Sequence, residues 1–200
     1  MQEIFYEETA KMQNMSSGKR KYYIAKVLMI ISYTIACIWF LFCLFYVLNA
    51  ESFLSSLLYS IIPFILFLAS GIFLGKMKDK LYVDYDYTFV TGSLRFSKVI
   101  NNYKRKHILN VEAKEIEKIG FFGSESYERY VLSPDLKPKI LTSNNTPEEG
   151  KDLYYIVANS NGEKNLLVLE CSELFIVNIL KYTSKSILDE ELLKQKKTNK

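Results

Sequence analysis

Residues 27–48 read VLMIISYTIACIWFLFCLFYVL and residues 52–75 read SFLSSLLYSIIPFILFLASGIFLG, and neither stretch contains a charged side chain. A helix rises about 1.5 Å per residue, so about 20 apolar residues cross a hydrocarbon core about 30 Å thick. Buried helices of a soluble core would show a polar stripe, whereas the polar residues here are few and scattered. A signal peptide would have an apolar core of about 7–15 residues and a small-residue cleavage site. The sequence therefore predicts a hairpin of two transmembrane helices.

The charges around this hairpin predict its orientation. Basic residues precede the first span and follow the second, whereas the only charged residue in the linker 49–51 is Glu51. The basic residues are Lys19, Arg20, Lys21, Lys26, Lys76, Lys78 and Lys80. Because an excess of Lys and Arg near a span marks the cytoplasmic side, we expect a multi-pass protein of the cell membrane with both termini in the cytoplasm.

Small residues indicate where the two helices touch. The short linker forces the helices to run antiparallel, and folding the chain about residue 50 brings Ser32 opposite Ala69. Small side chains let helices approach closely in lipid, so we expect helix–helix contacts at Ser32, Ala36, Ala69 and Gly71. No ionisable side chain lies in either span, which argues against an ion or proton pathway.

Composition divides the chain into four parts: a cytoplasmic N-terminal tail (1–21), the hairpin region (22–76), a cytoplasmic domain (77–188) and a basic C-terminal tail (189–200). The part after the hairpin falls in the size range of a single domain. Residues 76–200 contain 21 Lys plus Arg and 18 Asp plus Glu. So small a surplus is not the charge pattern of a protein that binds nucleic acid.

The cysteines and the single histidine do not indicate a reactive site. Cys37 and Cys43 lie in the first span, Cys171 stands alone, and no CxxC pair occurs. Neither a zinc site nor a redox pair is therefore predicted. His107 is flanked by basic residues, which is typical of a surface position. We expect no metal and no cofactor.

Two pairs of carboxylates are the remaining candidates for chemistry. Asp84 with Asp86, and Glu115 with Glu117, could chelate a cation. Acidic residues that lie beside basic residues are more often partners in cross-strand ion pairs than ligands of a metal ion. A hydrolase or transferase needs a nucleophile with a base, a phosphate loop or a metal cluster, and no such pattern is evident. We therefore expect no catalytic residue.

Alternating apolar residues predict β-strands after the hairpin. Every second residue from Leu81 to Phe89 is apolar, which is typical of a half-buried strand, and Thr91-Gly92 then predicts a tight turn into a second strand. Further strands are expected around 108–111, 116–121, 139–142, 153–158 and 165–170, with a helical turn near 113–117, a packed element at 127–132 and a solvated loop at 144–151. About seven strands joined by turns favour antiparallel pairing.

A helix is predicted to follow the last strand. Ser172 is a good N-cap. Leu174, Val177 and Leu180, alongside Phe175 and Ile179, have helical spacing in a helix that continues to about residue 185. The first three are expected to supply the stripe that packs on the sheet. The predicted fold class is a membrane α-helical hairpin plus a β-rich α+β domain, similar to a pleckstrin-homology-like (PH-like) antiparallel barrel or sandwich capped by a C-terminal helix.

Three stretches carry a resemblance to a known family: IFYEETAKMQNMSSGKRKYY (4–23), DYDYTFVTGSLRFSKVINNYKRKHIL (84–109) and EIEKIGF (115–121). Together with the hairpin, they resemble a domain-of-unknown-function family of small membrane proteins from low-GC Gram-positive bacteria. The resemblance implies a PH-like cytoplasmic domain behind two transmembrane helices. It implies no reaction and no catalytic residue, because none is known for that family.

These features favour a binding or scaffolding module at the inner membrane face. Its partners would be the lipid bilayer and either anionic lipid headgroups or another membrane protein. The predicted contact residues are Lys98, Lys104, Arg105 and Lys106, and each basic residue near an anionic leaflet contributes about 1 kcal/mol. The simpler interpretation is that these side chains only solvate a turn. An accessory subunit of a larger membrane complex, for transport or secretion, is the alternative function.

Overall fold

The computed structural model describes residues 5–48, 53–134, 136–160, 162–183 and 187–189. The predicted linker 49–51 and the basic tail beyond residue 189 lie outside the described residues. The described residues divide into two compact units, one within Asn14–Tyr82 and one within Met1–Gln13 and Val83–Lys200.

The first unit is a pair of long helices, α1 (Met15–Leu48) and α2 (Phe53–Leu81). Both are long and apolar enough to cross a membrane. Their apolar stretches remain mostly exposed, unlike the core helix of a soluble protein. Pro63 lies inside α2 without ending it. The two predicted apolar helices are therefore present, and α1 begins well before the apolar stretch that starts at residue 27.

The second unit begins with a four-stranded antiparallel sheet, here called sheet A. Its strands are β1 (Phe5–Ala10), β2 (Val83–Val90), β3 (Ser93–Ile100) and β4 (Lys104–Glu112), in the order β1-β2-β3-β4. The two helices are thus inserted between two neighbouring strands. The predicted N-terminal tail needs correction here, because Phe5–Ala10 pairs along its length with β2. Glu8 faces the same side as Tyr6 and Ala10, which hides the alternation that would have revealed the strand.

Sheet B also has four strands, in the order β5-β7-β8-β6. They are β5 (Ile116–Phe121), β6 (Pro138–Ile140), β7 (Asp152–Ser160) and β8 (Glu163–Cys171), and a short helix α3 (Glu125–Val131) follows β5. The expectation of purely antiparallel pairing is wrong for β6, which runs parallel to β8. As an edge strand that begins with Pro138, β6 needs no hydrogen-bond donor from its first residue.

The final helix α4 (Glu173–Leu180) closes the core between the sheets, and Ser172 caps it by accepting a hydrogen bond from Phe175 N. The predicted apolar stripe is right for Leu180, which packs against the main core, and needs correction at Leu174. Phe175, Ile176 and Ile179 are buried, whereas Leu174 is 56% exposed. The helix also ends at Leu180 rather than near residue 185. Nearly every residue of this helix is apolar, so spacing alone does not select the buried side.

The main core combines both sheets with α4. Buried side chains from sheet A meet buried side chains from sheet B and from the helix; they include Tyr87, Phe89, Leu94, Phe96, Ile119, Tyr154, Ile156, Leu167, Leu169 and Phe175. The carboxylate of Glu8 on β1 accepts hydrogen bonds from Ser172 N (2.8 Å) and Ser172 Oγ (3.0 Å), which ties sheet A to the start of α4. The mixed α+β fold class is confirmed.

Candidate binding surface at one end of sheet A

The turn between β3 and β4 lies at the end of sheet A where the chain connects to the helices. Asn101 and Asn102 adopt positive φ values of 51° and 56°, which Asn tolerates better than most residues. The register pairs Ile100 with both Val83, the first residue of β2, and Lys104, the first residue of β4. Only Tyr82 separates α2 from β2. The turn and the entry into β2 are therefore neighbours in the sheet.

The four predicted basic residues gather at this turn but divide between the two faces of the sheet. Lys98 and Lys106 are direct cross-strand partners. Side chains two residues apart on a strand share a face, so Lys104 lies on the same face as Lys106, and Arg105 lies on the opposite face. We call Lys98, Lys104 and Lys106 the lysine face.

Arg105 is engaged by acids on its own face of the sheet. Its Nη2 lies 3.2 Å from Asp86 Oδ2 and 3.9 Å from Glu7 Oε1. The Arg105 side chain is 69% exposed, whereas that of Asp86 is buried. Part of the Arg105 charge is therefore compensated within the protein.

The candidate carboxylates hold neighbouring segments together. Asp86 Oδ1 accepts a hydrogen bond from Thr9 Oγ1 at 2.8 Å, and Asp84 Oδ1 accepts one from Met12 N at 2.8 Å. These contacts attach β1 and the residues after it to β2. Among the described residues, no group of three or more His, Cys, Asp or Glu side chains could hold a metal ion.

The other two acids have similar structural partners. Glu115 Oε2 accepts a hydrogen bond from Glu112 N at 2.8 Å, and Glu117 forms an ion pair with Lys164 at 2.6 Å.

Cys171 is fully buried, and burial raises the pKa of its thiol well above the usual value. A thiol in that environment stays protonated and is a poor nucleophile.

Sequence reasoning missed Tyr103, which is 92% exposed at the tip of the β3–β4 turn. The signal was present in NNYKRKH (101–107), where an aromatic residue interrupts a polar and basic run. A tyrosine ring has an apolar body and a polar tip, and such rings are enriched at membrane–water interfaces. The turn therefore combines an exposed amphipathic ring with the ammonium groups of the lysine face.

A loop from sheet B braces this end of sheet A. Ser143 Oγ donates to Val83 O (2.5 Å), and Asn144 Nδ2 donates to Lys11 O (2.7 Å). Asn144 Oδ1 also accepts a hydrogen bond from Gln13 N (2.9 Å). The loop thus contacts the residues that precede α1 and the residue that begins β2. Residue 144 belongs to the predicted solvated loop, but its side chain is engaged with the protein.

Buried Glu170 on β8 fixes the same loop from inside. Its carboxylate accepts hydrogen bonds from Thr142 Oγ1 (2.5 Å), Asn144 Nδ2 (2.8 Å) and Glu148 N (2.9 Å). Three donors on one carboxylate compensate for the loss of its hydration. The position of the loop therefore depends on the core of sheet B.

Ser32, one of the predicted helix–helix contact residues, lies where α1 meets α2. Ser32 Oγ donates to Phe67 O (2.7 Å) and lies 2.5 Å from Ser70 Oγ. Ser32 therefore meets Ser70, the neighbour of its predicted partner Ala69.

Ala36 and Gly71 are both buried within the helical unit. A Cβ at Gly71 would lie 2.7 Å from Tyr33 Cε1, so a larger residue at this position would require the Tyr33 ring to shift. Trp39 Nε1 donates to Ser60 O at 3.0 Å and adds a polar link between the helices.

Comparison with known proteins gives a family match over nearly the full chain. The model of a family described as "Bacterial PH-like domain (DUF6106)" matches residues 2–189. Mannitol-1-phosphate 5-dehydrogenase from Thermoanaerobacter pseudethanolicus is 32% identical over 107 residues, which cover 48% of this chain and 28% of that enzyme. No solved structure matches the chain.

Proposed function

This chain belongs to the bacterial PH-like domain family, and from that premise we propose that it is a cell-membrane protein presenting a cytoplasmic binding or scaffolding domain. The observation that carries the proposal is the pairing of β1 with β2 across the helical insertion. Ala10 and Tyr85 are partners in sheet A, although α1 and α2 lie between them in the chain. A chain that leaves a sheet and returns to it after two crossings has both flanks on one side of the bilayer.

The cytoplasmic side follows from the basic residues on both flanks. Lys19, Arg20 and Lys21 precede the first apolar stretch, and Lys76 and Lys78 follow the second. Both termini are then cytoplasmic, and the PH-like domain faces the inner leaflet. This orientation rests on the charge pattern together with the shared sheet.

The ligand we propose is the anionic headgroup region of the inner leaflet, contacted by the lysine face and Tyr103. The β3–β4 turn is paired with the start of β2, and β2 begins two residues after α2 ends. Each basic residue near an anionic leaflet contributes about 1 kcal/mol, so three lysines together favour the docked orientation by about 100-fold. The helices tether the domain, which raises its effective concentration at the surface.

Amide hydrogen exchange of the full chain in lipid nanodiscs tests this proposal. Nanodiscs of neutral phosphatidylcholine are compared with nanodiscs that also contain anionic phosphatidylglycerol. We expect slower exchange at residues 100–106 in the anionic discs, and a smaller difference at high salt because the attraction is screened. The double variant Lys104→Gln with Lys106→Gln should lose most of this difference.

The matched control replaces Lys114 and Lys137 by Gln, which removes the same charge from exposed positions outside the β3–β4 turn. This control variant should retain the lipid-dependent protection. Equal exchange in neutral and anionic discs for the native chain would assign the lysines to solvation alone. A second protein recovered in fixed proportion from mild detergent would instead favour the accessory-subunit function.

We propose no reaction for this chain. The family description names a domain rather than an activity. The similarity to mannitol-1-phosphate 5-dehydrogenase reaches 28% of that enzyme's length. The candidate acids take part in hydrogen bonds and ion pairs, and Cys171 is buried. These observations favour binding over catalysis.

A further inference from the structure

The helices α1 and α2 continue as helices beyond their apolar stretches, on the side proposed to be cytoplasmic. At about 1.5 Å per residue, α1 extends about 18 Å before Val27 and α2 extends about 9 Å beyond Gly75. The two apolar stretches end at nearly the same level, because a Cβ at Gly75 would lie 3.4 Å from Met29 Sδ. The two extensions form the base of the helical unit.

Contacts between lysines and aromatic rings hold the two extensions together. Lys19 Nζ lies 5.7 Å from the ring centroid of Tyr82, and Lys78 Nζ lies 5.6 Å from that of Tyr22. Both rings are buried, and all four residues belong to one compact unit. The side chains at the base are therefore arranged on a packed pair of helices.

The packing of α2 against α1 directs two other lysines away from the helix pair. Lys78 faces α1 through its contact with Tyr22. Successive residues of a helix are about 100° apart around the axis, so Lys76 and Lys80, each two residues from Lys78, lie about 160° from it. Both are exposed, and so is Lys26 on α1.

These three exposed lysines lie at the depth of the lipid phosphates. The headgroup layer occupies about 5–8 Å on each side of the hydrocarbon core. Lys76 and Lys80 lie about 1.5 Å and 7.5 Å beyond the apolar stretch of α2, and Lys26 lies about 1.5 Å from that of α1. Tyr23 is 57% exposed at about the same depth, where amphipathic rings are enriched.

The charge of Lys78 is compensated within the protein, in contrast to the charges of the three exposed lysines. Lys78 Nζ lies 2.9 Å from Asp79 Oδ1, and its side chain is 19% exposed. Among the residues that the structure describes, no ion pair joins Lys26, Lys76 or Lys80 to an acid. At their depth in a bilayer, the neighbouring source of negative charge is the lipid phosphate.

We propose that Lys26, Lys76 and Lys80, here called the collar, bind the phosphates of anionic phospholipids of the phosphatidylglycerol type and enrich these lipids around the helices. The inference rests on the proposed insertion of the helices in the membrane, but not on the lysine face. The occupant follows from that insertion, because the apolar stretches are mostly exposed and lipid covers them. Phosphatidylcholine competes poorly, since its choline group already neutralises its phosphate.

Electron paramagnetic resonance of the full chain in reconstituted vesicles tests the collar. Lipids that are spin-labelled near the end of the acyl chain lose mobility when they touch a transmembrane helix, so the spectrum reports the lipid layer around α1 and α2. We expect labelled phosphatidylglycerol to associate with the native chain about fivefold more strongly than labelled phosphatidylcholine does. This preference should decrease in high salt, because the attraction is screened.

The collar variant combines Lys26→Gln, Lys76→Gln and Lys80→Gln, and it should associate equally with the two labelled lipids. Lys78 is left unchanged because it contacts Tyr22 and Asp79. A second variant replaces the three collar lysines by Arg, which preserves the charge, and it should retain the native preference. This second variant separates loss of charge from damage to the helix pair.

The matched control combines Lys114→Gln, Lys137→Gln and Lys139→Gln, which removes the same charge from exposed positions outside the helices. It should retain the native preference for phosphatidylglycerol. Equal association of the two lipids with the native chain, or an equal loss of preference in the control and the collar variant, would overturn the proposal. The amide-exchange difference at residues 100–106 does not depend on the collar, so the collar and the lysine face can fail separately.

Discussion

Replacing Phe175 by Ala should destabilise the PH-like domain strongly, whereas replacing its neighbour Leu174 should not. Phe175 is fully buried and packs between the rings of Tyr6 and Tyr87, at centroid distances of 5.7 Å and 6.0 Å. Truncating a buried Phe to Ala typically costs about 3–5 kcal/mol, since it removes apolar contacts and leaves a cavity. That is a large fraction of the about 5–15 kcal/mol by which a domain is stable.

The comparison with Leu174 isolates the effect of burial from that of helix propensity. Both positions lie in the first turn of α4, and Ala is the best helix former, so neither change weakens the helix itself. Leu174 is 56% exposed, and exposed substitutions usually change stability by about 0.5 kcal/mol or less. In a domain of this size, the loss at Phe175 corresponds to a melting temperature lower by roughly 10–20 °C.

Thermal unfolding of the full chain in a fixed detergent measures both effects. Near-UV circular dichroism follows the tyrosine-rich core, because buried rings lose their fixed environment when the domain unfolds. A midpoint that falls as far for Leu174→Ala as for Phe175→Ala would refute the assignment of the buried face. It would favour the stripe of Leu174, Val177 and Leu180 that spacing alone suggests.

Three further predictions concern the membrane orientation and sheet A. Reporter fusions at both ends of the chain should give cytoplasmic signals, and an external signal at either end would contradict the proposed topology. Asp86→Ala should lower the free energy of unfolding by about 1–3 kcal/mol, because it leaves Thr9 Oγ1 without its buried acceptor. Arg105→Gln should cost less than about 1 kcal/mol, because water screens this mostly exposed side chain. Chemical denaturation of the two variants should rank them in that order.

The elements that could be predicted are those whose own residues form a strong local sequence pattern. The uncharged stretches at 27–48 and 52–75 predicted α1 and α2, and the alternation between Leu81 and Phe89 predicted β2. Ser172 predicted the start of α4 because an N-cap depends on a local hydrogen bond. In each case, neighbouring residues contain most of the information.

Features decided by distant contacts could not be predicted in this way. β1 is concealed because Glu8 turns inward to bind Ser172, a residue far along the chain. The buried side of α4 is set by the rings that meet Phe175, since the helix is apolar on almost every side. The bridge between Leu188 and Ile119 joins two segments whose sequences give no sign of pairing.

The candidate lipid surface was predicted only in part. The basic residues near the β3–β4 turn are visible in the sequence, but the register separates Arg105 from Lys104 and Lys106. The acids that engage Arg105 come from β1 and β2. Tyr103 was overlooked because a single aromatic residue in a polar run has no periodicity to mark it.

The insertion of α1 and α2 between paired strands also has a consequence for biosynthesis. The first strand leaves the ribosome before the apolar helices, and its partner β2 appears only after residues 11–82 have been made. At about 5–20 residues per second, that interval lasts roughly 4–14 s. During this time β1 has no sheet to join, and Glu7 and Glu8 should help to keep it soluble, since charged side chains oppose edge-to-edge aggregation. Sheet A can close only once the helical insertion has been synthesised, so delivery of the helices to the bilayer can precede completion of the domain.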